Sequence, residues 1–162
     1  APKNIEMLVR QRTFTRTELE ARYHTKLEQF IKALQIEAET LIHMTDTLVI
    51  PAAIGYQERL VKTVRGLKTL QEELGGVVFA SEVELLKRIT ELIEQCGQKT
   101  RALKAAMVRA EGMEDLSKCA KFVADHIRPL MEELRKPVDE LEVTIDDESW
   151  PLPRYSEMLF IL

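Results

Sequence analysis

The sequence predicts an all-α fold, an antiparallel helical bundle of long, kinked helices with a docked C-terminal tail. The 162 residues include only 6 Gly and 6 Pro, and the segments between them are rich in Leu, Glu, Lys, Ala and Gln, which favour helices. Apolar residues recur at spacings of three and four, which places them on one face of each helix. With 45% hydrophobic residues, the chain can bury a core as one domain.

The first predicted element is a long helical segment from about Thr17 to Leu74, with Pro51 near its middle. Proline has no backbone donor, so it removes the bond to the Thr47 carbonyl and predicts a bend. Residues 48–54 contain no glycine or polar turn residue, so we expect the helix to continue after the bend. Its first half should project beyond a three-helix bundle and expose an apolar stripe. That stripe consists of Tyr23, Leu27, Phe30, Leu34 and Leu41.

Two further segments, each about 45 Å long as helices, predict an antiparallel hairpin with a turn at Gly112. Ser81 and Glu84 have the spacing of a capping box at the start of the first segment. Pro129 and Pro137 predict kinks in the second. The first stripe consists of Leu86, Ile89, Ile93, Cys96, Thr100, Leu103, Met107 and Ala110. The second consists of Leu116, Cys119, Val123, Ile127, Leu130, Leu134, Val138 and Leu141.

The C-terminal segment should leave the bundle after the last helix fades near Asp146. It combines an extended, Pro-flanked stretch, a short helix opened by Pro153 and a run of five apolar residues, which would aggregate unless they dock in a helix groove. We therefore expect one domain with an N-terminal connector (1–16), a helical bundle (17–148) and a C-terminal docking tail (149–162). The candidate interaction residues are Tyr23, Phe30, Leu34, Trp150, Tyr155, Leu159 and Phe160.

No catalytic, cofactor-binding or metal-binding residue is predicted. The histidines His24, His43 and His126 could bind a metal only with help from carboxylates such as Glu20 and Glu39, each four residues before a histidine. A di-iron bundle needs Glu-x-x-His twice and two further carboxylates, so we interpret the histidines as partly exposed structural residues. A carboxylate-bridged metal bundle remains an alternative. The sequence also lacks a phosphate-binding glycine loop, HExxH and GxSxG.

Charge and cysteine content restrict the environment of the chain. The net charge of -4 comes from interspersed acids and bases, which predicts no nucleic-acid partner. No stretch of about 18 uncharged apolar residues exists, which predicts no membrane span. Cys96 and Cys119 lie on apolar stripes without a CxxC partner, so we expect free thiols in a reducing cytoplasm. The N-terminal arm is locally basic and is interpreted as a solvated connector.

Two stretches carry a family resemblance. One runs from Arg22-Tyr23-His24 through Ile36-Glu37-Ala38 to Ile50-Pro51-Ala52-Ala53. The other is Asp139-Glu140-Leu141-Glu142 followed by Trp150-Pro151-Leu152-Pro153-Arg154-Tyr155-Ser156-Glu157-Met158-Leu159-Phe160. Both are similar to the C-terminal region of type III glutamine synthetases, and the Trp-Pro-x-Pro-x-Tyr pattern is the specific part. The resemblance extends from about Phe14 to Leu162.

The resemblance implies a parent enzyme that ligates ammonia to glutamate with ATP and divalent metal ions, in a large ring-based oligomer. The residues for that chemistry belong to upstream domains of the family, and none matches a position here. It implies that this chain is a non-catalytic C-terminal helical domain that packs on its own catalytic domain and on other copies, supporting the oligomer. A free-standing helical adaptor that binds partner helices in a groove is the alternative.

This chain alone should therefore neither bind ATP nor form glutamine, because its sequence offers no phosphate cradle and no acidic metal cluster. Calorimetric titration with ATP and Mg²⁺ checks the first expectation. Binding at micromolar affinity would contradict it.

Overall fold

The computed structural model of the chain describes residues 2–158, without the side chains of Pro2, Tyr155 and Ser156. The described residues contain helices and no strand, which confirms the all-α class. The helices are α1 (Pro2–Arg10), α2 (Arg16–Met44), α3 (Ile50–Leu74), α4 (Ala80–Glu111), α5 (Leu116–Phe122), α6 (Arg128–Thr144) and α7 (Tyr155–Met158). Two π-helical turns, Thr45–Val49 and Val123–Ile127, join α2 to α3 and α5 to α6.

The helix starts differ from the prediction. A capping box closes the start of α2, where Glu18 N donates to Thr15 Oγ1 at 3.2 Å and Thr15 N donates to Glu18 Oε2 at 2.7 Å. The capping box predicted at Ser81 is wrong, because α4 begins two residues earlier than that box requires, with Phe79 as its N-cap. Ser81 therefore already lies inside the first helical turn, and the Phe79 side chain has no oxygen to offer.

The long helix continues past Pro51 without a chain reversal, as predicted. The N–H of Ile50 donates to the Thr45 carbonyl, a bond that spans five residues. Arg128 N–H makes the same kind of bond to Val123 O just before Pro129. Each proline thus lies in the first turn of the next α-helix, where its missing donor costs little. The sequence prediction did not foresee these π turns.

The bundle consists of α4 packed against α2–α3 on one side and α5–α6 on the other. The pairs Asp46–Lys104 and Gln57–Thr90 show that α4 runs antiparallel to the long helix. The pairs Glu133–Lys99 and Glu140–Arg88 show the same for α6. The predicted hairpin is therefore present.

Two apolar clusters fill the bundle. The upper cluster is buried near the α4–α5 turn and consists of Ile31, Ala38, Leu103, Ala106, Met107, Ala110, Cys119, Ala120, Val123, Ile127 and Leu134. The lower cluster lies toward the other end and consists of Val49, Ala53, Ile89, Leu92, Cys96, Leu141, Ile145 and Trp150. Burial of these side chains supplies the main stabilisation of the bundle.

The prediction that the whole first half of the long helix projects is wrong. Ile31 and Ala38 are buried in the upper cluster, and Leu27, Leu34 and Leu41 pack against that cluster, because α5 lies alongside α2. Only the beginning of α2 lacks such cover, since all residues from 20 to 26 are exposed. The projecting part is therefore only about three turns long.

Replacing Ile89 or Leu134 with Ala should lower the free energy of unfolding by about 2–5 kcal/mol, because both side chains are fully buried. Ile93 and Leu130 are only partly buried. Replacing either of them with Ala should therefore lower the free energy of unfolding by less. Exposed Val108 is the control, and Val108→Ala should change stability by less than about 0.5 kcal/mol. Urea unfolding of the five variants measures these differences, and equal losses at Leu134 and Val108 would contradict the assignment.

Candidate interaction surfaces

The predicted interaction residues fall into four groups, of which Trp150 forms one. Tyr23 and Phe30 on α2 are exposed, at 56% and 40% of their surface. Leu34 is half-buried against the upper cluster. Tyr155 begins α7, while its side chain and the residues Leu159 and Phe160 lie outside the part of the chain that the structure describes. The structure therefore leaves two of these residues as open contact groups.

Trp150 lies inside the molecule. It is only 8% exposed and belongs to the lower cluster, between helices that supply Ile89 and Leu141. Its indole Nε1–H is buried and has no acceptor among the described residues. In this conformation Trp150 is a core side chain that fixes the start of the tail to the bundle.

Polar contacts hold the tail beside Trp150. Arg59 on α3 pairs with Asp146 at 2.5 Å and also donates to the Ser149 hydroxyl. Ser149 N–H donates to Asp146 Oδ1 at 2.8 Å. Further along, the Arg154 guanidinium donates to the Ile145 carbonyl at 2.7 Å. These contacts tie the end of α6 to the middle of α3.

The sequence prediction missed this anchor. Only its local part was visible, because an aspartate three residues before a serine is a common turn pattern. The pairing of Arg59 with Asp146 joins distant parts of the chain and leaves no local signal.

The anchor changes the titration of Asp146. Desolvation raises the pKa of its carboxyl, but hydrogen bonds from Ser149 and the nearby Arg59 guanidinium outweigh that effect. The pKa therefore lies below its ordinary value of 3.8.

A second exposed surface lies at the α3–α4 turn, and we call it the tip. Gly75 and Gly76 adopt positive φ angles of 66° and 76°, which glycine allows without strain. Leu74 and Val78 flank them and are 77% and 85% exposed. Leu70 is exposed on the preceding turn. The sequence prediction did not identify this surface, although the apolar run Val77-Val78-Phe79 beside two glycines is unusual for a solvated turn.

The tip borders an open groove of about 730 Å³. The groove lies between the turn and the first two turns of α4. Its lining is Gln71, Val77, Val78, Phe79, Ala80, Val83, Glu84 and Lys87. Its walls are largely apolar with a polar rim, which suits contact with protein side chains.

The histidines are the side chains for which the sequence leaves a metal-binding alternative open. His24, His43 and His126 are exposed, and residues 2–158 contain no group of three His, Cys, Asp or Glu side chains that could hold a metal ion. None of the described helices is long and apolar enough to cross a membrane.

Both cysteines are free and buried, as predicted. Burial raises the pKa of the Cys96 thiol to about 11, although nearby Lys99 acts in the opposite direction. Burial also raises the pKa of Cys119. Both thiols are therefore protonated near neutral pH and are poor nucleophiles.

The first part of the chain matches a known protein family. Residues 1–68 match the family model of the glutamine synthetase C-terminal domain. This match covers α1, α2 and most of α3, which include both residues Tyr23 and Phe30. This part of the chain is thus similar to a glutamine synthetase C-terminal domain, which confirms the resemblance found in the sequence.

Individual relatives extend the similarity over almost the whole chain. A glutamine synthetase of Bacteroides fragilis is 34% identical over 155 residues, which are 95% of this chain and 21% of the relative. The type-3 glutamine synthetase of Dictyostelium discoideum is 28% identical over 98% of this chain and 22% of its own length. A glutamine synthetase of Butyrivibrio fibrisolvens is 30% identical over 99% of this chain and 22% of its own length. The chain spans about a fifth of the length of these curated relatives.

Acid should loosen the tail anchor. Because the folded pKa of Asp146 is lowered, its ion pair stabilises the fold above pH 3.8 and is lost as the pH falls through the folded value. The fluorescence of Trp150, the single tryptophan, should therefore shift to the red below about pH 3.8. In Asp146→Asn, part of this shift should be present already at neutral pH.

The control is Asp139→Asn on α6, since no ion pair to Asp139 contributes to the anchor. It should keep the wild-type fluorescence profile. Identical profiles for the wild type and Asp146→Asn would show that Asp146 does not anchor the tail.

Proposed function

We propose that this domain is a non-catalytic part of a longer glutamine synthetase polypeptide, where it packs on the catalytic part and supports assembly of the oligomer. The family match and the relatives, which are named glutamine synthetases, support the identity of the longer polypeptide. In this proposal the longer enzyme ligates ammonia to glutamate in the cytoplasm, and its other domains bind ATP and divalent metal ions. The longer enzyme would then act in nitrogen metabolism.

The observation that carries the packing role is the exposure of the tip. Leu74 and Val78 are among the most exposed large apolar side chains of the described residues, and Leu70 extends the same surface. Leaving such a group in water is unfavourable, and contiguous exposed apolar patches mark interaction sites. The two apolar clusters are already filled by the bundle and by Trp150. The tip is therefore available for another surface of the enzyme.

The helical architecture fits a supporting role. Long helices cross-connected by two apolar clusters form a stiff element, because each cluster is close-packed by three segments of the chain. A stiff element can hold two surfaces at a fixed separation. That property is useful in an assembly and needs no catalytic residue.

Changing the tip in the longer polypeptide tests the proposal. We expect Leu74→Ser combined with Val78→Ser to remove the apolar contact, shift the enzyme to smaller species and lower glutamine formation several-fold. Sedimentation velocity measures the size, and glutamine formation from glutamate, ammonia and ATP measures the activity.

The matched control is Ile36→Ser combined with Val108→Ser, which removes two exposed apolar side chains from the sides of the bundle. This control variant should keep the wild-type oligomer size and glutamine-forming activity. Unchanged assembly in the tip variant would overturn the packing role. A longer polypeptide without glutamine-forming activity would overturn the proposed enzyme.

A further inference from the structure

Charge is distributed very unevenly along the molecule. Residues 1–26 contain six Lys or Arg and three Glu, a net charge of +3. Since the whole chain carries -4, the remaining residues carry -7. The formal net charge of the chain conceals this separation.

The basic end consists of α1, the following turn and the first three turns of α2. All six of its cations are exposed: Lys3, Arg10, Arg12, Arg16, Arg22 and Lys26. Met7, Val9 and Tyr23 are exposed among them. Arg22 lies over the Phe14 ring at 4.8 Å, which keeps its charge near the surface. This end therefore combines positive charge with uncovered apolar side chains.

The acidic end is the segment 139–148, at the end of α6 and the start of the tail. It contains six carboxylates and no Lys or Arg. Glu140, Asp146 and Asp147 pair with arginines of the same chain. Counting those three arginines, the segment still has an excess of three negative charges. Val143 is 78% exposed in its middle.

The two ends cannot neutralise each other within one molecule. Asp146 contacts Arg59, and the continuous α2–α3 helix separates Arg59 from Arg16 by about 65 Å. That distance is several times the screening length at physiological salt, which is roughly 8 Å. Attraction between the ends therefore requires a second molecule.

We propose that two copies of this chain associate side by side in antiparallel orientation, so that the basic end of each copy contacts the acidic end of the other. This arrangement makes both contacts twice and closes as a dimer with twofold symmetry. Val143 then faces the exposed apolar residues of the basic end, with carboxylates and cations around the contact. The role of this dimer in the enzyme, as one contact between copies, rests on the proposed function. The dimer itself does not.

Complementary charge reversals test this contact on the chain itself. A basic-end variant combines Lys3→Glu, Arg10→Glu and Arg16→Glu. An acidic-end variant combines Asp139→Lys, Glu142→Lys and Glu148→Lys, and spares the carboxylates that anchor the tail. Each variant has ends of like charge, so neither should dimerise alone. Mixed together, each offers the other the opposite charge, so a one-to-one complex should form.

Sedimentation equilibrium measures the association. The wild type should dimerise, and raising NaCl from about 20 mM to about 500 mM should weaken the dimer by about tenfold or more, because the screening length falls from roughly 20 Å to roughly 4 Å. At low salt, each charge-reversed variant should form a dimer that is weaker than the wild-type dimer by at least the same factor. Circular dichroism melting confirms that the variants are folded.

The control variant Lys62→Glu, Arg65→Glu and Lys68→Glu changes net charge by the same amount on exposed positions of α3, and it should still dimerise. A wild type that stays monomeric at low salt, or a mixture of the two end variants that does not associate, would overturn the inference. The tip is unchanged in all of these variants, so this failure is distinguishable from failure of the proposed packing role.

Discussion

The fold depends on burial of one face of α4 along most of its length. Ile89, Cys96 and Leu103 on that face are completely buried, and together they contribute to both apolar clusters. The long helix packs on one flank of this face and α6 on the other, while α3 and α6 scarcely touch each other directly. The helices α3 and α6 are therefore positioned relative to each other through α4.

Where α3 and α6 fail to meet, the tail fills the space. Trp150 adds a large apolar side chain to the lower cluster, and the Arg59–Asp146 pair joins the two helices at the molecular surface. An exposed ion pair alone stabilises a protein little, whereas burial of an indole stabilises it considerably. The Trp-Pro-Leu-Pro pattern, which carries the family resemblance, thus begins with a residue of the core.

Much of the fold was predictable because apolar periodicity records which residues face a partner helix. Of the two hairpin stripes, Ile89, Leu103 and Leu134 are fully buried as predicted. Leu130 lies on the same stripe between the buried residues Ile127 and Leu134 but is only partly buried. The location of Trp150 and the Arg59–Asp146 contact depend on pairings between distant segments, which periodicity does not encode.

The π turns themselves left a signal in the spacing. Thr45, Val49 and Ala53 are buried at two successive steps of four, and so are Cys119, Val123 and Ile127. In a regular α-helix each step of four rotates the side chain by roughly 40° in the same direction, so two steps would leave the buried face. A wider turn keeps all three residues facing inward.

A π turn holds one residue more than an α-turn, which affects how these helices tolerate insertions and deletions. In α4, an unbroken α-helix from Ala80 to Glu111, one added residue would rotate everything after it by about 100° and turn the buried face toward solvent. Along α2–α3 and α5–α6, the widened turns accommodate such a residue locally. The buried faces before and after each turn then keep their directions. One residue can thus be accommodated at each of these two turns without directing the buried faces of the outer helices away from α4.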